Sequence, residues 1–435
     1  MPPTPAFRHF VWLTAGYSVS SFGTYLNMVA LGLFVYQLTG RALDTGLFLA
    51  IRLLTSLVTA PAIGGLANRV NRRVAMVGAD TVQGSALVAF VLAPSPWQEI
   101  LAYALAVLLG AGASVSNVLL RSSVPALVGA EQRVRANGYL VTGRSTAMTL
   151  GFASAGAIVA FVGYEVAFLV DAATFLVSAV ILAAVPLRFP RPGESAPEGD
   201  GQPAQPDRTG FWRAQRAAVR TVAAVPVLAF MLVVRGMDAF GSASHNIGIP
   251  IFASLEYPEN PAWFVSGFWT AWAVGSLSAY RLFGRTIAAG GDTSGERGFV
   301  LGTGLMSVFF ILAFTGLPLY ALVAVAACAG LADGYTEIAY NSRLQTVPER
   351  ERGTVFGVSH LLETGGLGVG MLISSALLEL WAPLPVVGAA HGLAIASALV
   401  FLIAFPLTRE RKEKTRKRDG ESASDSSAKE QGETG

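Results

Sequence analysis

The sequence predicts an all-α polytopic membrane protein whose twelve transmembrane helices form two pseudo-symmetric six-helix bundles. Three observations lead there. Of the 435 residues, 53% are hydrophobic and only 14% charged, with a mean hydropathy of +0.53, whereas soluble domains carry about 25% charged residues. The charge that remains is gathered into short turns between long apolar runs. Those runs, such as LAYALAVLLGAGA, do not show the alternation that a membrane β-barrel requires, which leaves helices as the way to satisfy backbone groups in lipid.

A bilayer core needs ~20 apolar residues in a helix. In the first half the candidate spans are roughly 11–38, 45–67, 74–94, 98–120, 137–161 and 165–187. They are separated in turn by the LTGRALD turn, the GGLANRVNRR loop, PSPW, the GAEQRVRANG loop and GYE. In the second half they are roughly 222–250, 262–283, 299–317, 319–341, 355–379 and 385–407, separated by YPENPAW, GGDTSGERG, TGLP, VPERERG and WAPLP.

Basic residues set the orientation. Of the 31 Lys and Arg, all but Arg41, Arg52, Arg144 and Arg235 fall on the side of the predicted helices that carries both chain ends. By the positive-inside rule that side is cytoplasmic, and the span count is even. The other side has short loops with Glu99, Glu165, Glu256, Glu259, Trp97, Trp263 and Trp381, and its aromatics suit the headgroup level. The N-terminus shows no cleaved signal-peptide pattern. The Ala- and Arg-rich composition points to a bacterial source. Together these place the chain in a bacterial cytoplasmic membrane with both termini inside.

Residues 188–220 break the apolar pattern. The stretch RFPRPGESAPEGDGQPAQPDRTG is too polar to bury a core. FWRAQRAAVR, with Arg213, Arg216 and Arg220 at helical spacing, reads as a short amphipathic helix on the inner surface. The expected organisation is therefore a six-helix bundle over 1–187, a cytoplasmic linker over 188–220, a second bundle over 221–408 and a disordered tail over 409–435. The tail's basic head would lie against anionic lipid. The halves repeat a pattern: NVLLRSSVPALVGAEQRVRANGYL follows the fourth span and NSRLQTVPERERGTVFGV the tenth. Internal repeats with a midplane site between them are the plan of secondary transporters. Cys328, the one cysteine, lies in an apolar run and excludes a disulfide framework.

On these motifs the chain resembles the major facilitator superfamily, and more narrowly its drug and siderophore exporters. GGLANRVNRR resembles the signature loop between that family's second and third helices. LFVYQLTGRALDTGL, AFLVDAATFLVSAV and LQTVPERERGTVFG resemble further conserved stretches, in the expected order. The resemblance implies that Gly64, Gly65, Asn68, Arg69, Arg72, Arg73 and Asp80 form an inner gate. There the arginines hold the turn at the membrane surface and contact acids or helix C-terminal carbonyls of the other half, while the glycines allow close helix approach. Asn68 stands where the family has an acid, a role that Asp80 or Glu131 would have to fill. In the fifth helix Gly143, Gly151 and Gly156 match an antiporter pattern or serve packing, and Phe152 replaces a common Pro.

Ionisable residues inside the spans are costly and mark pathways or partners. Arg235 and Asp238 are three apart on one helix and can pair. Asp333 and Glu337 are four apart and stack on one face, where two carboxylates in low dielectric resist ionising together. That is the behaviour proton coupling needs. Glu363 follows His360 by three. Arg52 and Arg144 complete the expected substrate and proton pathway, with Arg52 open to a substrate or a cross-helix contact. Arg144 and Asp171 are expected in structural roles, and His391 as a solitary packed residue. Acids outnumber arginines, and Phe240, Phe268, Trp269 and Trp272 lie nearby, so a neutral or cationic amphipath is favoured.

No HExxH, GxSxG or Gly-rich Lys loop occurs. The sequence thus predicts no enzyme, no metal site, no cofactor and no nucleic-acid partner. It predicts a monomeric exporter of a small organic molecule, driven by the proton gradient. An uncoupled or uptake facilitator of the same family, and a non-transporting sensor or scaffold, are the alternatives.

Overall fold

The computed structural model describes residues 5–66, 69–129, 131–186, 220, 225–289, 292–347 and 349–404. The predicted surface helix and most of its linker, and the tail, lie outside these residues. Among them there are twelve helices and no strand. In the first half they are α1 (Pro5–Thr39), α2 (Ala42–Leu66), α3 (Arg72–Leu92), α4 (Ser95–Val128), α5 (133–162) and α6 (164–184). In the second half they are α7 (Pro226–Glu256), α8 (Pro261–Ala289), α9 (Asp292–Leu312), α10 (Leu319–Gln345), α11 (Glu349–Leu378) and α12 (Pro383–Ala404).

The long α5–α6 run is broken at Gly163, whose φ of 86° and ψ of 172° are open to glycine alone. A single residue thus reverses the chain between two spans. The α9 helix ends at Leu312, several residues before the sequence suggests, because the Thr315–Gly316–Leu317–Pro318 turn takes over. Gly316 sits there at φ 74°. Ten helical segments are long and apolar enough to cross a membrane, the α5–α6 run counting as one. The helix that misses this test is α8. It has 29 residues, but Trp, Ser and Gly dilute its apolar content. It packs against α10 within its own half and against α5 across the halves. A helix walled by protein needs less lipid-facing apolar surface.

Within the first half α1 lies along α5–α6, α2 along α4, and α3 between α4 and the α5–α6 run. In the second half α7 pairs with α11, and α10 with α8 and α9. Across the halves, α5 meets α8 and α2 meets α11. Two faces follow from the alternating helix directions. One, here called the arginine face, carries the turn with Arg69 and the helix ends with Arg133 and Arg343. The other carries the turns at 40–41, 163, 257–260, 313–318 and 379–382.

The core is distributed unequally between these faces. At the far face a single apolar cluster runs through both halves, from Leu26, Leu33, Phe48, Phe90 and Phe168 to Phe252, Phe268, Phe310 and Val387. A smaller cluster there also joins Ala42 and Ala50 to Ile247 and Met371. At the arginine face each half has its own core: Phe7, Phe10, Leu120 and Leu140 in the first, Met231, Phe299, Tyr340 and Phe401 in the second. The halves are fused at one end and split at the other.

Candidate functional site: a charged cavity between the halves

The split encloses a cavity of about 730 Å³ between the two bundles. Its second-half wall carries Arg235, Asp238, Asp333, Glu337 and Glu363. Its first-half wall carries Tyr17, Tyr25, Asn117, Arg121 and Arg144. Toward the fused end it is roofed by Phe152, Trp269, Trp272, His245 and Phe310.

Arg235 is the hub. Its guanidinium donates to Glu337 at 2.8 Å and Glu363 at 2.9 Å, and reaches Asp238 at 3.5 Å. It also lies over the Tyr340 ring, 5.3 Å from the centroid. Three helices, α7, α10 and α11, are tied through this one side chain. The helical spacing of Arg235 and Asp238 puts both on the cavity face of α7, while Glu337 and Glu363 arrive from neighbours that no spacing rule links. Asn341 donates to Glu337 at 2.7 Å. Asp333, one turn along α10 from Glu337, lines the same wall but makes no hydrogen bond or ion pair among the described residues. Three acids therefore share one arginine, and a fourth on the same wall is free to take another partner. Arg235 Nε and Asp238 Oδ1 are also enclosed without a partner.

On the opposite wall Arg144 donates to the Tyr25 hydroxyl at 2.8 Å. It also borders a side chamber of about 210 Å³ inside the first bundle, with Arg52, Asp80, Gln83 and Ser116. Arg52 has no hydrogen bond among the described residues, and the Asp171 carboxylate is within its electrostatic reach. Asp171 itself accepts from Asn27 at 2.6 Å and from Thr174. His360 is exposed outside the cavity wall, and of the aromatics read from sequence Trp269 and Trp272 line the cavity whereas Phe240 and Phe268 do not.

The signature-loop residues sit apart from the cavity. Asn68 lies outside the described residues. Asn71 caps α3 through Val74 N–H at 3.3 Å. Arg72 donates to the Ser122 carbonyl at 3.1 Å and to Ser123 Oγ at 3.3 Å, and Arg73 donates to the Val185 carbonyl. Val185 caps the end of α6 whereas Ser122 lies inside α4, and both carbonyls belong to the loop's own half rather than to the other half that the sequence reading expected. Asp80 is buried inside the first bundle and accepts from Ser116 at 3.2 Å, so it does not face the other half. Among the described residues, a Cβ placed at Gly64 or Gly65 would meet nothing within 4 Å. The close approach expected at these glycines is absent because the halves are apart here.

Close approach occurs at the far face instead. A Cβ on Gly156 of α5 would lie 2.6 Å from Ser266 Cβ and 2.7 Å from the Ala262 carbonyl of α8. Ser266 donates to the Phe152 carbonyl and contacts that of Ala153 at 3.3 Å. Phe161 and Trp263 meet edge to face at 6.1 Å. Glu379, just past α11, accepts from Leu43 N–H at the start of α2 at 2.7 Å. Gly143 and Gly151 serve packing of α5 on α1, against Ser18 and Phe22. Sequence reading missed Tyr25, His245 and Glu379, which carry no periodic or motif signal; their roles exist only across helices.

The geometry is that of a two-bundle membrane transporter, and the comparisons agree. The Major Facilitator Superfamily model matches residues 13–291 and 291–431, so the chain belongs to that family. No curated protein matches it. Among solved structures it is similar to a bacterial homolog of the human lysosomal transporter Spinster, in an inward-facing and unoccupied conformation. The identity is 17% and the TM-score 0.65, over 92% of this chain and 96% of that one. It is also similar to a mutant form of the nucleoside transporter NupG, at 13% identity and a TM-score of 0.68, over 91% and 99% of the two chains.

Proposed function

We propose that this chain is a proton-coupled exporter of a small organic molecule, with a neutral or cationic amphipath as cargo, working as a monomer by alternating access. The observation that carries the reading is the acid surplus on one wall of a cavity closed at one end. Three carboxylates are held by Arg235, and Asp333 is left to hold either a proton or a cationic cargo. Mutually exclusive occupancy of one acid is the minimal chemistry of antiport. The aromatic roof suits the apolar part of such a cargo through ring and cation–π contacts. The orientation rests on the positive-inside rule, with the arginine face and both termini in the cytoplasm of a bacterial inner membrane. In that orientation the cavity opens toward the cytoplasm, the loading side of an exporter.

The test is flux of the fluorescent cation ethidium in proteoliposomes with an imposed proton gradient. The reading expects gradient-driven accumulation that Asp333→Asn abolishes. Ethidium movement that is equal with and without the gradient, and unchanged in Asp333→Asn, supports uncoupled facilitation instead. The departure of Phe152 from the exporter pattern favours that second reading.

A further inference from the structure

Two histidines meet at the roof of the cavity. His245 of α7 and His391 of α12 are both buried, and His245 Nδ1 lies 3.0 Å from His391 Nε2. Phe310 stacks on the His245 ring at 3.6 Å with planes 4° apart, and Trp269 leans against it at 5.8 Å. The imidazole is therefore fixed in place by a ring on one face, an indole beside it and a hydrogen bond at one nitrogen.

The pair must share one hydrogen, and the surroundings choose which ring supplies it. His391 Nδ1 is enclosed with no partner. Buried N–H groups without an acceptor are rarer in folded proteins than under-used acceptors. His391 accordingly keeps Nδ1 bare and donates from Nε2 to His245 Nδ1. That leaves the hydrogen of His245 on Nε2, since the hydrogen bond at one ring nitrogen sets the state of the other. His245 lines the cavity, and its Nε2, unlike His391 Nδ1, is not among the enclosed atoms without a partner. It presents an N–H donor to whatever occupies the roof.

Spacing along α7 adds a distance. Asp238, Ser242 and His245 fall on one stripe, and seven residues of helix rise about 10 Å. A donor framed by aromatic rings thus stands about 10 Å along α7 from Asp238. We propose that His245 Nε2–H recognises a hydrogen-bond acceptor on a planar aromatic head of the cargo, seated beside Trp269 and Trp272. His391 is the positioning residue that holds the donor tautomer. This names the cargo more closely: an aromatic heterocycle or aryl carbonyl that also carries a cationic group. It rests on the transporter reading above.

Two probes test it on the purified full chain. One is a quinoline and the other a naphthalene, each bearing a trimethylammonium on the same alkyl tether spanning about 10 Å. They differ by one ring nitrogen. Calorimetric titration is expected to give the quinoline about three- to tenfold tighter binding, the worth of one net hydrogen bond. His245→Phe removes the preference. His391→Leu diminishes it, because the hydrogen bond that fixes the ring and its tautomer is gone. His391→Gln keeps it, because its amide N–H still donates to His245 Nδ1. Equal binding of both probes, binding of neither, or an undiminished preference in His391→Leu overturns the assignment. A chain that prefers the quinoline yet moves neither probe across a vesicle keeps this site and loses the transport reading. One that transports both alike keeps transport and loses this site.

Discussion

Replacing Gly156 by Ala perturbs the far-face closure at its tightest point. The added methyl would fall 2.6 Å from Ser266 Cβ and 2.7 Å from the Ala262 carbonyl, well inside van der Waals contact. One of those atoms is backbone, so the helices must separate. Overpacking of this kind costs about 1–3 kcal/mol. The cost falls only on the state in which α5 and α8 touch, so it acts as a bias between conformations. A bias of about 1–3 kcal/mol changes the ratio of closed to open far faces by about 5- to 150-fold. The assay is cross-linking by a short bis-methanethiosulfonate reagent, which bridges two thiols too far apart for a direct disulfide. With Cys328→Ser as background, cysteines replace Phe161 and Trp263, whose rings are 6.1 Å apart. The parent pair is expected to cross-link rapidly, and the Gly156→Ala version at least fivefold more slowly if the full bias is expressed. Equal rates, with equal thermal stability, would refute the argument that this contact closes the far face.

Three further outcomes follow from the same contacts. Arg235→Gln leaves the buried Asp238 without its cation, while Glu337 and Glu363 are open to the cavity, and a buried group left unsatisfied costs about 1–3 kcal/mol, more when it is charged. Its melting temperature in detergent is expected to fall well below that of the parent, and adding Glu363→Gln to recover part of the loss. Asp333→Asn removes a group that Arg235 does not bond, so it is expected to melt within a degree or two of the parent, about the scale of a small surface change. That pairing of results, a destabilised hub and an indifferent Asp333, is readable in a single thermal-shift series. Gly163→Ala forces a side chain into a backbone region that only glycine populates, at about 1–3 kcal/mol. Lower yield of folded protein in detergent checks it.

The helical plan was legible because hydrocarbon constrains sequence so strongly. Each of the twelve helices overlaps the span read from apolar runs, and each turn falls where Gly, Pro or charge interrupts them. Where the reading slipped, local chemistry explains it. In α9 the residues Ala313 and Phe314 are apolar enough to extend a span, yet the Gly316 turn ends the helix first. Side-chain partners were legible only along a single helix. Arg235 with Asp238 follows from a three-residue spacing. Arg235 with Glu337 and Glu363 depends on how α10 and α11 lie against α7, which no spacing in the chain encodes. His391 looked solitary for the same reason, since its partner is 146 positions away. The separation of the arginine-face cores was not legible at all, because the same apolar residues would pack in either conformation.

The central claim is that one cavity between two rocking bundles is reached from alternate sides. Its most direct test is labelling of Ser242→Cys, a cavity residue, with a membrane-impermeant thiol reagent in the Cys328→Ser background. With the Phe161→Cys and Trp263→Cys pair first bridged from the far side by a short bis-methanethiosulfonate reagent, the far face is locked shut. Labelling is then expected from the arginine face alone, with far-side labelling restored on reduction. Labelling from the far side that persists through the cross-link, or none from the arginine face, would contradict the account.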